Sequence, residues 1–575
     1  MKNFKIKISN NKKHFNENVI DNFDQYIDER INILYSKSDL SLSRIKDSGD
    51  YLVLSSITTR DRREICKKLN CIDSNESDSR FILNLYIIHG IKFFELLGNS
   101  FFFFVYDFKK DNTFIIRDHI GFNNIYYAQD KDSLFLSSTL KGIRELSEKN
   151  FYINKKVLKN FLEMNPFDDR ETFFKGLNKV PPAHYLEFSS SLLSIQSYEK
   201  FKDIRINYDE KEQVEGLNYL LKKAIIRKEE TLDENIGFLF SGGLDSSTII
   251  SFYDKYKNKN QKLFSYTAEY NQVDESVKRL INEKDFQKEI TKKKSINERN
   301  FETIDLSTLS SLDRYLDLIG QPFFFPHLYL IDEAFRLASS DGVVKVFNGA
   351  DGDTVISHGF EYFTELFLKF RWIKLFREIS KTSKVTNKSK RFIFKRTVTG
   401  QMFFGNKIYF SAKKQHKAVL SAPIHSNAIE IQSLIAHHHG VREVYPFYDM
   451  NLVNYCINVR PDLKINGFSR YILREAIKGI VPEKNRKRTD KSNLGHGLVH
   501  SFLNHDRKFI DNQISSPHDI IKELIDVNSI EQHWKNLLKN PRKYSTLSHV
   551  PSLIFLYVVA NRWLQFVKID SKEKT

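Results

Sequence analysis

The chain has 575 residues, of which 41% are hydrophobic and 28% charged, so it is a globular polypeptide too long for one core of ordinary size. Its formal charge of +17 would suit binding to nucleic acid, anionic lipid or polyphosphate, but the lysines are spread along the chain, which favours a solvated basic surface over a nucleic-acid interface.

The sequence has three cysteines and no CxxC pair, which argues against disulfides and against a cysteine zinc site. This cysteine content fits the reducing cytoplasm. Without an apolar leader or an apolar run of about 20 residues, we expect no membrane partner.

Two domains are predicted from a change of pattern near residue 205. Residues 1–205 contain short aromatic and β-branched segments typical of an antiparallel β-rich domain: YLVLSSITT, FFFFVYDF, TFIIRD, NIYYAQ, SLFLSS and AHYLEFSS. Residues 206–575 alternate apolar runs with amphipathic segments, as in a parallel α/β sheet. The strands predicted there are NIGFLF, KLFSYTAE, NFETIDL and VVKVFN. Beyond residue 360 helical periodicity dominates, and the basic insert KTSKVTNKSKRFIFKRT carries Phe and Ile, which argues against a purely disordered linker.

The sequence SGGLDSS at residues 241–247 connects a predicted strand to an apolar helix. Its two glycines allow backbone amides to approach an anion, its serines add hydroxyl donors, and the helix N-terminus adds positive charge. Leucine and aspartate stand where a Walker A loop has lysine and a hydroxyl residue, and the motif SGGxDS resembles that of the N-type ATP pyrophosphatases. A turn that only resembles this loop is the alternative. The residues predicted to bind ATP are Ser241, Gly242, Gly243, Leu244, Asp245, Ser246 and Ser247, together with Gly349 of a second loop.

That second loop lies in VVKVFNGADGDTVISHG, residues 343–359, where an apolar strand ends in a turn rich in Gly and Asp. Carboxylates at the carboxyl end of a parallel strand, beside a phosphate loop, are suited to Mg²⁺, which prefers oxygen ligands. We therefore predict that Asp245 and Asp353 bind the metal. The alternative is that Asp351 and Asp353 only cap a turn.

Longer segments resemble the asparagine synthetase family over nearly the whole chain. They include FFELLGNSFFFFVYDFKKDNTFIIRDHIGFNNIYYAQDKDSLFLSSTLKGI, with its RDxxGxxxxYY run at 117–127, and VYPFYDMNLVNYCINVRPDLKINGFSRYILREAIKGIVPEKNRKRTDKSNLG. The resemblance implies an amino-terminal nucleophile-type antiparallel sandwich, then a doubly wound parallel-sheet adenine-nucleotide-hydrolase (PP-loop) domain with a helical carboxyl-terminal part. It also implies ATP and Mg²⁺ as cofactors.

The sequence departs from that family at three places. A glutaminase of this type needs a cysteine at position 2, where this sequence has Lys2, so the first domain is predicted to be an inactive scaffold or a partner-binding domain. The family's GExxDE becomes GADGDT, so Ala350 and Thr354 replace both glutamates while Asp353 is kept. Tyr445 stands where the family usually has an arginine. The acceptor side of the site is therefore expected to differ.

The resemblance further implies amide formation through an acyl-adenylate. Lys491 matches the lysine of the family's R-x-x-K segment, and Arg488 lies beside it in the sequence. Lys491 would stabilise the negative charge that develops on the oxygen of the activated carbonyl. The alternative is that this basic run is only a solvated surface. The group that takes a proton from the amine is left open among Asp351, Tyr445 and Tyr448. The histidines of HHHG, 437–440, cannot all face one ion, so we predict a surface or helix-end role.

Relatives without the amino-terminal cysteine include β-lactam synthetases and the macrolactam cyclases of lasso-peptide pathways, and NGADGDTVISHGFEYFTELF looks more like the cyclases. The prediction is ATP-dependent cyclisation of a peptide without glutamine, and a precursor-processing protease is the further partner that this implies. An ammonia-dependent asparagine synthetase is the alternative. Two more distant alternatives are an RNA-modifying adenylating enzyme and a non-catalytic scaffold. The lack of paired cysteines disfavours the first of them.

Overall fold

The computed structural model describes residues 3–9, 23–36, 40–47, 49–70, 76–98, 100–131, 133–165, 168–226, 235–257, 261–270, 283–292, 296–303, 306–401, 403–404, 407–489, 495–546 and 549–567. Cys71, Lys2 and Lys491 lie outside these ranges. Within them no helix combines the length and apolar character that a membrane span requires.

The amino-terminal part is a sandwich of two six-stranded antiparallel sheets. One has the order β10-β8-β9-β1-β3-β2 and the other β12-β11-β7-β6-β5-β4. The strands are β1 Phe4–Ser9, β2 Phe23–Ile27, β3 Ile31–Ser36, β4 Ser41–Ile45, β5 Tyr51–Ser56, β6 Phe102–Asp107, β7 Asn112–Arg117, β8 Tyr126–Asp130, β9 Ser133–Ser137, β10 Leu177–Lys179, β11 His184–Ser189 and β12 Leu192–Ser197. Each segment predicted as a strand in this half is confirmed.

The central strand β6 shows why an aromatic run forms this sandwich. Phe102, Phe104 and Tyr106 face the core between the two sheets, whereas Phe103 and Val105 pack beneath the helices on the outer face. Because successive side chains of a strand point to opposite faces, a strand buried on both sides needs apolar residues at every position. The FFFFVY run supplies them.

The second part contains a five-stranded, wholly parallel sheet with the order β15-β14-β13-β16-β19. Its strands are β13 Ile236–Leu239, β14 Leu263–Glu269, β15 Ile296–Glu302, β16 Lys345–Phe347 and β19 Arg442–Val444. The strand order reverses between β13 and β16, which makes the sheet doubly wound. Two short ribbons complete the strands: β17 Phe403–Phe404 with β18 Lys407–Ile408, and β20 Ile465–Asn466 with β21 Phe468–Ser469.

Three of the four strands predicted in this half are confirmed, and the fourth is displaced. The predicted NFETIDL overlaps only the end of β15, whose residues are INERNFE. This edge strand is largely exposed, so its polar composition hid it from a search for apolar runs. The strand β19 was not predicted, because its residues, REV, form no apolar run.

Helices cover the sheet and form most of the carboxyl-terminal part. In the first half they are α1 Thr59–Leu69, α2 Asp78–His89, α3 Leu140–Ser147, α4 Lys155–Leu162, α5 Glu210–Ile225, α6 Leu244–Tyr256 and α7 Lys284–Thr291. In the second half they are α8 Leu312–Ile319, α9 Leu328–Ser340, α10 Gly352–Ile356, α11 Phe360–Leu368, α12 Trp372–Thr386, α13 Lys390–Phe394, α14 Ala412–Leu420, α15 Pro423–His438, α16 Met450–Asn458, α17 Pro461–Lys464, α18 Tyr471–Ala476, α19 Glu483–Lys487, α20 Gly495–Asn504, α21 Arg507–Ser515, α22 Asp519–Leu524, α23 Val527–Lys539, α24 Pro541–Thr546 and α25 His549–Phe566.

Helix α15 joins the two parts of the molecule. Its Glu430 accepts a hydrogen bond from the buried Lys179 of β10 at 2.8 Å and another from Tyr126 of β8. Burial raises the pKa of Glu430 and lowers that of Lys179.

The histidine run 437–440 lies at a helix end, as predicted, since α15 ends at His438. Through its first turn, the same helix reaches the candidate site.

Candidate functional site

The two loops singled out in the sequence follow β13 and β16, the strands on either side of the point where the strand order reverses. In open parallel sheets, ligands bind at this point, outside the carboxyl ends of the strands. A cavity of about 1090 Å³ lies there. Both loops line it, through Ser241, Gly243, Leu244, Asp245, Ser246, Gly349, Ala350, Asp351 and Asp353.

The first loop has the local geometry of an anion cradle. Gly242 has a φ of +80°, a conformation that favours glycine. The Ser241 hydroxyl accepts from the Gly243 amide at 3.2 Å and lies 3.3 Å from the Ser246 hydroxyl, so both serines sit at one point of the loop. Helix α6 then begins at Leu244 with no side chain capping it among the described residues, which leaves its first amides available to an anion.

Ser247, the last serine of the motif, has a different position. It is fully buried and accepts a hydrogen bond from Asn485 Nδ2 at 3.3 Å. The same Asn485 amide also donates to the Gly242 carbonyl and to the carbonyl of Phe286. Ser247 therefore takes part in the hydrogen bonds that hold α19 against the loop. It does not line the cavity.

The second loop approaches the first so closely that a side chain at either of two glycines would displace the first loop. A Cβ on Gly349 would lie 3.0 Å from the Ser246 amide nitrogen, and a Cβ on Gly352 would lie 2.7 Å from Asp245 Cγ. Such separations are below ordinary van der Waals contact. The glycines of the GADGD sequence therefore bring its aspartates to the phosphate loop.

Asp245 is held by an arginine from the far end of the domain. Arg470 Nη1 lies 2.6 Å and 2.7 Å from the two carboxylate oxygens of Asp245. Asp353, the second residue of the predicted metal pair, lies 3.5 Å from His358 Nε2. Among the described residues no group of three or more His, Cys, Asp or Glu could hold a metal. The two carboxylates fit Mg²⁺ as oxygen ligands, provided that Arg470 releases Asp245.

Four arginines line the cavity, and three of them come from one stretch of the chain: Arg470, Arg474 and Arg488, with Arg396 as the fourth. Burial and the charge of Arg470 lower the pKa of Arg474 to about 10, so it stays charged at neutral pH. Arg488 is nearly buried, pairs with Glu283 at 2.6 Å and stacks on Phe286 with 4.2 Å between its guanidinium carbon and the ring centre. This cationic wall suits a polyphosphate. Lys491, three residues beyond Arg488, falls in the part of the chain that is not described.

Asp351 anchors the other side of the cavity. It has a φ of +57° and stands at the N-cap position of α10, yet its side chain makes no capping bond. Instead its carboxylate lies 3.0 Å from His425 Nδ1 and accepts from the Tyr448 hydroxyl at 2.7 Å. The turn-capping interpretation therefore does not describe Asp351.

The three candidates for the proton acceptor are now distinguishable. Burial and the nearby Asp351 raise the pKa of Tyr448 well above its ordinary value, so at neutral pH Tyr448 is a donor to that carboxylate. Tyr445 is buried and donates to Glu443 at 2.6 Å, away from Asp351. Of the three, only Asp351 lines the cavity.

Sequence reasoning missed several residues that the fold brings to the site: His425, Arg470, Arg474 and Asn485. The two arginines lie in the sequence GFSRYILR, which carried part of the family resemblance without a role. His425 lies in a stretch with no distinguishing pattern and Asn485 in the basic run before Lys491, and only the packing of α15 and α19 brings them to the loops.

Comparison with known proteins matches two family models to the chain. The family model for asparagine synthase matches residues 216–565, and that for a glutamine amidotransferase domain matches residues 61–199. Since the first of these spans more than half of the chain, the chain belongs to the asparagine synthase family. The resemblance seen in the motifs is confirmed.

Individual relatives match over shorter stretches. A putative glutamine-hydrolysing asparagine synthetase of Methanocaldococcus jannaschii is 26% identical over 319 residues, covering 53% of this chain and 59% of the relative. A glutamine-hydrolysing asparagine synthetase of Bacillus subtilis is 27% identical over 201 residues, 34% of this chain and 33% of its own. An amidase of Gibberella zeae is 26% identical over 200 residues, 33% of this chain and 29% of its own. The chain thus spans between 29% and 59% of the length of these relatives, and the narrower likeness to macrolactam cyclases stays a prediction.

Proposed function

We propose that the chain is an ATP-dependent ligase that forms an amide bond through an acyl-adenylate and releases AMP and pyrophosphate. The observation that carries the proposal is the meeting of the SGGLDSS loop, the GADGD loop and three arginines in one cavity at the switch point of the sheet. This is the arrangement expected of an N-type ATP pyrophosphatase, or PP-loop, domain. It provides anion-binding groups without a Walker lysine.

In the first half-reaction, a substrate carboxylate oxygen attacks the α-phosphorus of ATP, and the bond to the bridging oxygen of the β-phosphate breaks. The amides of the first loop and the hydroxyls of Ser241 and Ser246 would bind phosphate oxygens. Arg470 and Arg474 would offset the charge that collects on the departing pyrophosphate. Mg²⁺, when held by Asp245 and Asp353, would supply further charge neutralisation.

In the second half-reaction, an amine attacks the activated carbonyl, AMP leaves, and the amine loses one proton. Arg488, together with Lys491, would stabilise the oxygen that becomes negative. Asp351 is the proposed proton acceptor, because it lines the cavity and lies within hydrogen-bond distance of His425 and Tyr448, which orient it.

For the substrate we propose a peptide that provides both the carboxylate and the amine, as in macrolactam cyclisation, with no use of glutamine. The altered acceptor loop supports a non-standard acceptor, since Ala350 and Thr354 occupy the places of two acidic residues. Cys66 and Cys456 are both buried, and burial raises the pKa of Cys456 to about 12, so neither offers an accessible thiolate for glutamine hydrolysis.

The second candidate is asparagine synthesis from aspartate, which the names of the relatives favour. One experiment separates the two. The protein is incubated with ATP and Mg²⁺ and either aspartate with ammonium, aspartate with glutamine, or the peptide encoded beside its gene. Loss of one water from the peptide supports cyclisation. Asparagine formed at an enzymatic rate, with the peptide unchanged, would replace the cyclase proposal, and glutamate released from glutamine would contradict the claim of glutamine independence.

A further inference from the structure

Residues 369–396 concentrate the positive charge of the chain. They contain eleven lysines and arginines and one acidic residue, Glu378. Glu378 is buried and accepts a hydrogen bond from Lys381, so it contributes no acidic group to the surface. The sequence suggested that basic residues are evenly scattered, but this segment alone carries more than half of the net charge of +17.

Large apolar side chains project from the same segment. Ile373 is 90% exposed, Phe370 77%, Phe376 61% and Trp372 51%. We call residues 369–377 the basic aromatic surface. Every residue from 369 to 374 is exposed, so this surface stands out from the protein and does not form a groove.

Helix α12 therefore carries exposed apolar side chains beside its buried ones. Leu375 and Ile379 are buried against α11 and α13, which accounts for the packing of the helix on the protein. At about 100° per residue, Trp372, Ile373 and Phe376 fall within an exposed arc of about 100° that adjoins the buried side chains, and Lys374 and Arg377 border its other edge. A surface helix of a globular protein needs only the apolar stripe that packs on the core, so this exposed continuation of the stripe requires another explanation.

We propose that the basic aromatic surface binds an anionic membrane surface. Trp and Phe beside Lys and Arg are the side chains that lie at the boundary between headgroups and acyl chains. A planar array of acidic headgroups matches a projecting cationic surface, whereas a peptide ligand is usually held in a groove. The expectation from the sequence that the chain has no membrane partner is revised accordingly.

The inner side of the same helices faces the candidate active site. Thr382 and Thr386, on the helix α12 that carries the basic aromatic surface, line the cavity, as does Phe392 of the neighbouring α13. Membrane binding would therefore hold this wall of the cavity close to the lipid. The proposal does not depend on the reaction, because its evidence is the exposed face alone.

The test is co-sedimentation of the full chain with vesicles of phosphatidylcholine alone or with about a third phosphatidylglycerol. We expect at least a tenfold higher partition coefficient on the anionic vesicles, falling as salt rises because headgroup attraction is screened. Equal binding to both kinds of vesicle would overturn the proposal, since the positive charge would then have no role.

Variants identify the surface responsible. The triple change Trp372→Ser, Ile373→Ser and Phe376→Ser should lower partitioning more than tenfold without altering the melting temperature, because these side chains are exposed. The control Ile88→Ser, in α2, removes an apolar side chain that is 70% exposed elsewhere and should change nothing.

Three results would contradict the proposal. The first is full vesicle binding by the triple variant. The second is sedimentation of the wild-type chain as a dimer that the triple change dissociates, without vesicle binding, which would assign the surface to a second copy. The third is binding of polyglutamate without binding of anionic vesicles, which would assign it to an acidic peptide.

Discussion

Arg470 Nη1 donates to both carboxylate oxygens of Asp245, at 2.6 and 2.7 Å. This pair joins the phosphate loop to the start of α18, two segments more than two hundred residues apart in sequence. In the proposed mechanism, the negative charge of a bound triphosphate would attract Arg470 and release Asp245 to bind Mg²⁺. In this structure the ion pair neutralises the carboxylate.

The Asp245→Asn change should lower ATP cleavage at least a hundredfold. Losing a metal-ligating carboxylate removes transition-state stabilisation on the order of several kcal/mol. The measurement is exchange of labelled pyrophosphate into ATP in the presence of the substrate. Asp254→Asn is a matched control, because Asp254 lies near the far end of the same helix and pairs with Lys257. Similar rates for both variants would remove Asp245 from the mechanism.

Gly352→Ala should impair the same step through Asp245. The added Cβ would meet Asp245 Cγ at 2.7 Å and so displace the carboxylate. We expect at least a tenfold loss of exchange in the wild-type background and little further loss in an Asp245→Ala background, where the displaced group is absent. Additive losses would mean that Gly352 acts elsewhere, since additivity indicates independent sites.

Tyr448→Phe should separate the two half-reactions. It removes the hydroxyl that donates to Asp351 while leaving the phosphate loop intact, so pyrophosphate exchange should persist and amide formation should fall about tenfold or more. Tyr445→Phe is the control, because its hydroxyl donates to Glu443. Parallel loss of exchange and of product in Tyr448→Phe would show that this contact supports folding and not the acceptor step.

The sequence predicted the two loops because strand, glycine turn and helix are local features. It also predicted the sandwich strands, whose aromatic residues are buried on both faces. It could not predict that Ser247 turns inward, since that depends on Asn485, which lies far along the chain. For the same reason it left Asp351, Tyr445 and Tyr448 equivalent, because only the folded structure shows that the Tyr448 hydroxyl reaches Asp351 while the Tyr445 hydroxyl reaches Glu443.

Stability should depend on pH through Glu443. Burial raises the pKa of Glu443 from 4.5 to about 7, although its bonds to Tyr445 and Asn348 oppose the shift. The folded state then binds this proton more tightly than the unfolded state, so Glu443 lowers stability as pH rises from about 4.5 to 7. The effect is on the order of 3 kcal/mol. Urea unfolding of wild type and Glu443→Gln should give free energies that diverge over this range in favour of the variant. Parallel curves would contradict the assignment.

The central claim is cleavage of ATP between its α- and β-phosphates, and product analysis tests it most directly. The protein would be incubated with ATP labelled at the α-phosphate, Mg²⁺ and the candidate peptide or aspartate with ammonium, and the nucleotide products separated. The account predicts AMP and pyrophosphate in equal amounts, with Asp245→Asn as the inactive reference. Formation of ADP and orthophosphate by the wild-type chain would contradict it.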